Sequence, residues 1–386
     1  MKTSLHRREL NGTWDTALAT ELDSPRSLVL AFSSPALFDN PEPFEEVLRA
    51  FPSSAVVGCS TSGEIFGDQL LDDSLCVAVA RFDSTEVRSH SVTIDTPHDS
   101  HVIGRRLAES LLEDSLSAIF VISDGLRVNG TELIKGLTSV LPEKVIVTGG
   151  LAGDGKDFER TWILDSTGLC ENKVVAVGFY GNNLVVGHGS RGGWDQFGIE
   201  REVTRSEGNV LFELDGRPAL ELYREYLGER ADGLPATGLL FPLSIRQKDD
   251  NSDSLVRTIL SISDEERSMT FAGDIPQGCR AKLMRCTPDR LVEGAAQAAE
   301  AARDSISALI SNQEVLSIAI SCVGRRLVLG ETAEEELEAI LSILPSTTKQ
   351  IGFYSYGEIS PNFSGVCDLH NQTMTLTTFS EKADPQ

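Results

Sequence analysis

Short apolar runs alternate with helix-spaced stretches along most of the chain, and the punctuation between them repeats. Ser27–Ser34 reads SLVLAFSS, a buried strand. PFEEVLRAFPSS follows, with apolar residues at helical spacing and a stop at Pro52. AVVGCSTSGEI comes next, a second apolar strand ending in a glycine turn. The same order returns near the far end as LSIAISC, AEEELEAILSILPS and QIGFYSYGEI. A third, weaker copy lies between them as AIFVISDG, TELIKGLTSVLPEK and VIVTGGLAGDG. From the first strand to the glycine of the second, the spacings are similar. Ala31 to Gly58 is 58 − 31 = 27 residues, Val121 to Gly149 is 149 − 121 = 28, and Ala319 to Gly352 is 352 − 319 = 33. Hairpin-like strands follow each copy: DSLCVAVARF, TWILDSTGLCENKVVAVGFYG and VCDLHNQTMTLTTFS.

A strand–helix–strand crossover is right-handed and lays its helix on a sheet face. The crossover strands are continuous apolar runs, as strands buried on both faces are. The pattern therefore predicts an α/β to α+β fold. It has two lobes with mixed β-sheets, built from repeated strand–helix–strand units plus hairpins. Asp215-Gly216 is a turn signal after the strand NVLFEL, and Pro218 opens a helix that ends at Gly228. The lobe boundary is placed there. Residues 1–24 then form an N-terminal extension, 25–215 a first domain and 216–380 a second. ERADGLPATG and RQKDDNSDS read as surface loops.

The chain has 386 residues, enough for two or three domains. It carries 34 Lys plus Arg against 58 Asp plus Glu, a net charge of −24. Such a charge repels phosphate backbones and anionic lipid, which argues against nucleic-acid and membrane-surface roles. No apolar run reaches the roughly 20 residues of a membrane-spanning helix. MKTSLHRREL has no apolar stretch behind its charges, so no signal peptide is expected. The seven cysteines are scattered without a C-x-x-C, as free thiols in a reducing cytoplasm would be.

Most chemical motifs fail on spacing. GCSTSG has two residues between Ser60 and Gly63, where a nucleophile elbow needs one. GHGSRG (Gly187–Gly192) follows a strand but no helix pattern comes after it, which argues against a dinucleotide turn. His98 with His101, and Cys367 with His370, are half-sites without partners, so no zinc site is expected.

What remains are the glycine turns. In open α/β sheets, ligands sit beyond the carboxyl ends of the parallel strands. GCSTSGEI, SDGLRVNGT, GGLAGDG, SCVGR and YSYGEI all fall there. The bland reading is that they are tight turns. The sharper one is a ligand pocket made by Ser60, Thr61, Ser62, Glu64, Asp124, Asp154, Ser321, Arg325, Tyr354, Tyr356 and Glu358. Tyr354 and Tyr356, two apart, would share a strand face. Arg325 would grip a ligand carboxylate through its fork, or else pair with Glu358. Glu64 and Glu358 would either cap turn N–H groups or contact the ligand.

VVGCSTSGEI, GGLAGDG, VVAVGFYG, GWDQFG, EGNVLFELDGRPALELYREYLG, SCVGR, GFYSYGEI and LHNQT, in that order, resemble the FIST proteins with their N-terminal and C-terminal FIST domains. The resemblance covers about Ser27 to Phe379. It implies a cytoplasmic sensory protein that binds a small ligand, an amino acid or similar; with the failed motifs above and no clear nucleophile–base pair, no enzyme activity is expected. It also implies a signalling partner such as a histidine kinase, a chemoreceptor or a cyclic-dinucleotide enzyme. The chain shows no such segment of its own, so output would act in trans. One alternative the resemblance carries is a haem-binding nitric-oxide sensor partnering a histidine kinase. His188 and His370 would then be the axial candidates. The other alternative is an enzyme of unknown reaction.

Overall fold

Three six-stranded sheets share one strand order. The computed structural model, which describes residues 1–9, 12–247, 254–306, 313–362 and 365–382, builds each sheet from the same five kinds of piece. The edge strands are Lys2–Glu9, Glu86–Thr93 and Leu184–Arg191. Antiparallel to them run the return strands Ser74–Arg81, Lys173–Tyr180 and Met374–Glu381. Next come the first parallel strands Ser27–Ser33, Leu116–Ser123 and Val315–Cys322. The second parallel strands are Ala55–Ser60, Ile146–Leu151 and Thr348–Ser355. A short hairpin completes each sheet.

That hairpin always comes from another repeat. Glu64–Phe66, which follows the first repeat's parallel pair, joins the third sheet beside Thr348–Ser355. Ile163–Asp165, after the second, joins the first sheet beside Ala55–Ser60. Gly357–Pro361, after the third, joins the second sheet beside Ile146–Leu151. The three exchanges close a cycle, so no repeat completes its own sheet.

Register makes the equivalence residue-specific. Ala31 pairs with Gly58, Val121 with Gly149 and Ala319 with Gly352. At each glycine an added Cβ would meet the partner's carbonyl oxygen, at 1.8, 1.9 and 1.8 Å. Only hydrogen fits there, so the strand–glycine signature repeated in the sequence has one steric cause.

Alternation along the strands makes two faces. Leu28, Leu30 and Phe32, Ala118, Phe120 and Ile122, and Leu316, Ile318 and Ile320 meet in one core enclosed by the three sheets. Outward-facing residues pack on the crossover helices Glu42–Ala50, Gly130–Thr138 and Ala333–Ile343. The helices Ser100–Leu111 and Pro288–Ile306 add to that layer. Gly187 and Gly189 let Pro288–Ile306 lie close on its strand, since a Cβ at either would strike the Ala302 or Ala298 carbonyl (2.4 and 2.1 Å).

The second lobe is an insertion in the third repeat. Between the edge strand Leu184–Arg191 and the helix Pro288–Ile306, residues 195–285 form an eight-stranded antiparallel sheet around the helix Ala219–Leu227. Its core holds Val203, Leu211, Leu220, Tyr223, Met269 and Phe271. The fold is thus α/β to α+β with two lobes and mixed sheets. Asp215-Gly216 lies inside the inserted sheet, with φ of 50° and 75°, as a tight hairpin turn requires. The lobes part instead near Gly193 and Thr287. Residues 2–9, set apart in sequence as an extension, are the edge strand of the first sheet. Most of the RQKDDNSDS loop lies outside the described residues.

Candidate functional site

At their carboxyl ends the parallel strands interlock. Ser62 N–H donates to the Tyr354 carbonyl (2.8 Å), and Tyr354 N–H donates to Gly63 (2.9 Å). Gly153 N–H donates to Ser60 (3.1 Å), and Tyr356 N–H donates to Leu151 (3.3 Å). The turns of all three repeats are thereby tied to one another.

The side chains there are spoken for. Ser60 Oγ accepts from Trp162 N–H, and Ser62 Oγ accepts from Gly155 N–H. Asp124 caps the N–H groups of Leu126 and Arg127 and takes the Thr161 hydroxyl. Asp154 caps Phe158, Glu159 and Arg160 and accepts from the Tyr356 hydroxyl. Arg325 is buried, and its fork grips Glu336 at 3.1 and 2.7 Å. Ser321 and Tyr354 donate to the other oxygen of Glu336 (2.9 and 2.7 Å). Arg325 also donates to the Leu291 and Gly192 carbonyls.

This arrangement corrects two expectations. Arg325 meets neither a ligand carboxylate nor Glu358, because Glu336, fifteen residues past Ser321 on the crossover helix, fills its fork. Tyr354 and Tyr356 do not share a face, because the strand ends at Ser355. Tyr354 packs with the third repeat's helices, while Tyr356 stacks on Phe158 (4.7 Å, 16°) in the second. Burial raises both phenols' pKa values, and the adjacent carboxylates add to it.

Glu64 and Glu358 form a matched pair. Thr61 Oγ1 donates to one Glu64 oxygen (2.5 Å), and the Ser74 N–H and hydroxyl donate to the other (3.1 and 2.8 Å). Ser355 and Thr373 do the same for Glu358 at 2.6, 3.2 and 2.9 Å. Desolvation pushes Glu64 up to about 7 and Glu358 to about 8, against the pull of these donors. In the second repeat the matching position is Ile163.

The open space lies elsewhere, at a seam between sheets. A cleft of about 820 Å³ runs between the third sheet's edge strand, the hairpin strand Cys367–His370 of the second sheet, and the inserted lobe. His188, Ser190 and Arg191 line one side, Asp368, His370, Asn371 and Thr373 another, and Ile245, Arg246, Leu255 and Val256 the inserted lobe's side. None of the eleven strand-end residues is in this lining; both histidines are. The inserted lobe is held over the seam by Arg257, which is buried and donates to the Leu369 and Asp274 carbonyls. Asp274 in turn binds Asn129 and Lys135, and Trp194 Nε1 donates to the Gln372 carbonyl (2.8 Å).

The seams are equivalent by register but have diverged. Arg7, Ser91 and Ser190 match, since they pair with Cys76, Val175 and Thr375. At the first seam a smaller recess of about 400 Å³ is lined by Arg7, Arg8, Leu71, Asp72, Asp73 and Ser74. At another, Lys173 and Ser91 meet on Asp165 (2.8 and 2.7 Å). The cleft under the inserted lobe is the larger of the two recesses. Its lining comes from five distant segments, which is why sequence order concealed it.

His188 makes no hydrogen bond among the described residues, and burial lowers its pKa, so it is a neutral imidazole facing the cleft. His370 is also neutral, lowered by burial despite Asp368, and its Nε2–H donates to the Ser360 carbonyl (3.0 Å). A haem would need an open axial nitrogen and an apolar slot. His370 has given its Nε2 away, His188 keeps its ring nitrogens open, and the walls mix Arg191, Arg246, Asp368 and Asn371 with Ile245, Leu255, Val256, Pro276 and Ala301. Of the two axial candidates, only His188 offers an open nitrogen among the described residues. Among the described residues no cluster of His, Cys, Asp and Glu forms a metal centre.

The FIST N domain matches residues 27–217, and the FIST C domain matches 219–361. The chain belongs to the FIST family. FIST domains are associated with sensory signal transduction. The two domain matches meet inside the inserted lobe, so the FIST C match begins partway through the third repeat. An uncharacterized protein of Methanocaldococcus jannaschii is 24% identical over 358 residues, which is 82% of this chain. The chain spans 66% of that relative's length. A crystal structure of a cyanuric acid hydrolase from A. caulinodans aligns over 99% of both chains at 7% identity, with a TM-score of 0.38. At that level the likeness carries nothing about activity. Among the described residues no helix is long and apolar enough to cross a membrane.

Proposed function

We propose that this FIST protein is a cytoplasmic signalling module that senses a small polar ligand in the cleft beneath the inserted lobe. The single observation that carries the reading is His188. A neutral, unpaired imidazole offers one donor and one acceptor to a cleft whose walls add Asp368 and the hydroxyls of Ser190 and Thr373. An amino acid or a similar small molecule with both donor and acceptor groups fits that set. Binding, not catalysis, is the role, and the bound state is read in trans by a signalling partner such as a histidine kinase, a chemoreceptor or a cyclic-dinucleotide enzyme. The inserted lobe touches both the ligand wall and the outer surface, so its face is where such a partner would detect occupancy.

The test is a thermal-shift screen of amino acids, other small carboxylates and haem, followed by calorimetry on each compound that stabilises the protein. His188→Trp fills the cleft and should abolish binding while leaving the protein folded. Tyr356→Phe, at the interlocked strand ends, should leave affinity unchanged. The opposite pair of results would return the site to the strand ends. A Soret band in the purified protein would restore the haem reading.

A further inference from the structure

A line of four hydrogen-bonded side chains runs from a buried carboxyl to the cleft, and its meaning rests on the cleft being the ligand site. Ser355 Oγ donates to Glu358 Oε1 (2.6 Å). The Thr373 N–H and hydroxyl reach Oε2 at 3.2 and 2.9 Å. Thr373 Oγ1 lies 3.2 Å from Thr375 Oγ1, which lies 2.9 Å from Ser190 Oγ. Ser190 and Thr373 line the cleft.

Each hydroxyl has one hydrogen, so the line points one way at a time. An ionised Glu358 only accepts. Thr373 then gives its hydrogen to Oε2, Thr375 donates to Thr373, Ser190 donates to Thr375, and Ser190 shows lone pairs to the cleft. A proton taken from solvent onto Oε2 reverses every member. Glu358 donates to Thr373, Thr373 to Thr375, Thr375 to Ser190, and the Ser190 hydrogen turns to the cleft. The proton settles on Oε2 and not on Oε1, because a reversed Ser355 hydroxyl would have no acceptor among the described residues.

We infer that Glu358 is a positioning residue that sets, through Thr373 and Thr375, whether Ser190 donates or accepts in the cleft. The site therefore favours carboxylate-like acceptors when Glu358 carries a proton and ammonium-like donors when it does not. Burial holds the carboxyl up to about 8, so both forms occur near neutrality. The other groups around it are fixed. Arg325, on the helix Val323–Leu329, is bound to Glu336. Burial raises the Cys322 thiol at the end of its strand. His370, opposite Glu358 across the strand pair, is kept neutral by burial.

Folding does not demand the line. The first repeat has Glu64 and Ser74, but Cys76 and Arg7 stand where the third has Thr375 and Ser190. The second has Ile163, Lys173 and Val175. Only the repeat beneath the larger cleft has a full set of hydroxyls.

Acetate, a carboxylate without donors, is the probe. Its binding to the full chain is followed by the ring ¹⁵N resonances of His188 and His370. The Kd should rise about tenfold from pH 6 to pH 9.5, the loss of one hydrogen bond to a charged group. Thr375→Val keeps the volume and cuts Ser190 off from Glu358, leaving only Thr373 coupled to it, so the rise in its Kd should be smaller than in the wild type. Thr375→Ser keeps the hydroxyl and so the line, and its Kd should keep the wild-type pH dependence. A wild type without pH dependence, a Thr375→Val variant that retains all of it, or acetate that moves neither resonance at pH 6 overturns the relay. A ligand from the thermal-shift screen that still binds in the cleft would, in those cases, leave the sensing reading standing.

Discussion

Glu64 and Glu358, 294 residues apart (358 − 64), hold the same position in two repeats and are bound by the same three kinds of donor. Each is followed by an isoleucine that pairs with the signature glycine of a neighbouring sheet, Ile65 with Gly352 and Ile359 with Gly149. The question whether these carboxylates cap the fold or touch the ligand thus has a geometric answer. Both are buried clamps at the crossing from one repeat's sheet into another's; Glu64 reaches the smaller recess through Ser74, and Glu358 reaches the larger cleft through Thr373, Thr375 and Ser190.

Their titration should appear in stability. Both carboxyls hold protons more tightly folded than unfolded, so the stabilisation is full below about pH 4.5. It is lost as pH rises through about 7 for Glu64 and about 8 for Glu358. Urea denaturation of wild type, Glu64→Gln and Glu358→Gln between pH 5 and pH 9 should show the wild type losing a few kcal/mol more than either variant. Parallel curves would mean that neither group titrates in this range.

The Arg325–Glu336 pair should be structural. Both side chains are wholly buried, so removing one leaves the other's charge without a partner. Arg325→Ala should cost about 3–5 kcal/mol in a denaturant titration. Tyr354→Phe, which removes one of several donors to Glu336, should cost about 1 kcal/mol. A near-neutral Arg325→Ala would show that the fork is available for other work.

The three signature glycines should fail alike. Gly58→Ala, Gly149→Ala and Gly352→Ala each drive a methyl into a carbonyl oxygen and should cost about 3 kcal/mol or more. Gly155→Ala, with positive φ but open space, should cost about 1 kcal/mol. If one of the three were tolerated, that repeat would not have the strand spacing that the register implies.

The charge of −24 should leave the protein without affinity for nucleic acid. Gel-shift titration with duplex DNA and single-stranded RNA at physiological salt should show no complex.

The repeats were legible because sterics wrote them into the sequence. A glycine is required wherever a second parallel strand meets the carbonyl of Ala31, Val121 or Ala319, and that need is local. The exchange of hairpins was not legible, because Glu64–Phe66 pairs with a strand beginning almost 300 residues later. The edge strand of the third repeat, Leu184–Arg191, was not read as part of it, because the insertion separates Arg191 from Pro288. The same long-range logic misled the site reading. Arg325 was given to a ligand or to Glu358, because nothing in the residue pattern aims Glu336, on the crossover helix, at its fork. Tyr354 and Tyr356 looked like one wall because the strand's end at Ser355 leaves no mark in the residue pattern. His188 and His370 were singled out on motif and position, and they meet in one cleft only because two sheet edges converge.

The central claim is that ligand binds at the seam beneath the inserted lobe. A crystal structure of the protein with the first compound that stabilises it in the thermal-shift screen tests this most directly. The account predicts the ligand in the cleft, within hydrogen-bond distance of His188 and Ser190. Ligand found instead among Ser62, Gly155 and Tyr356, with the cleft holding only water, would contradict it.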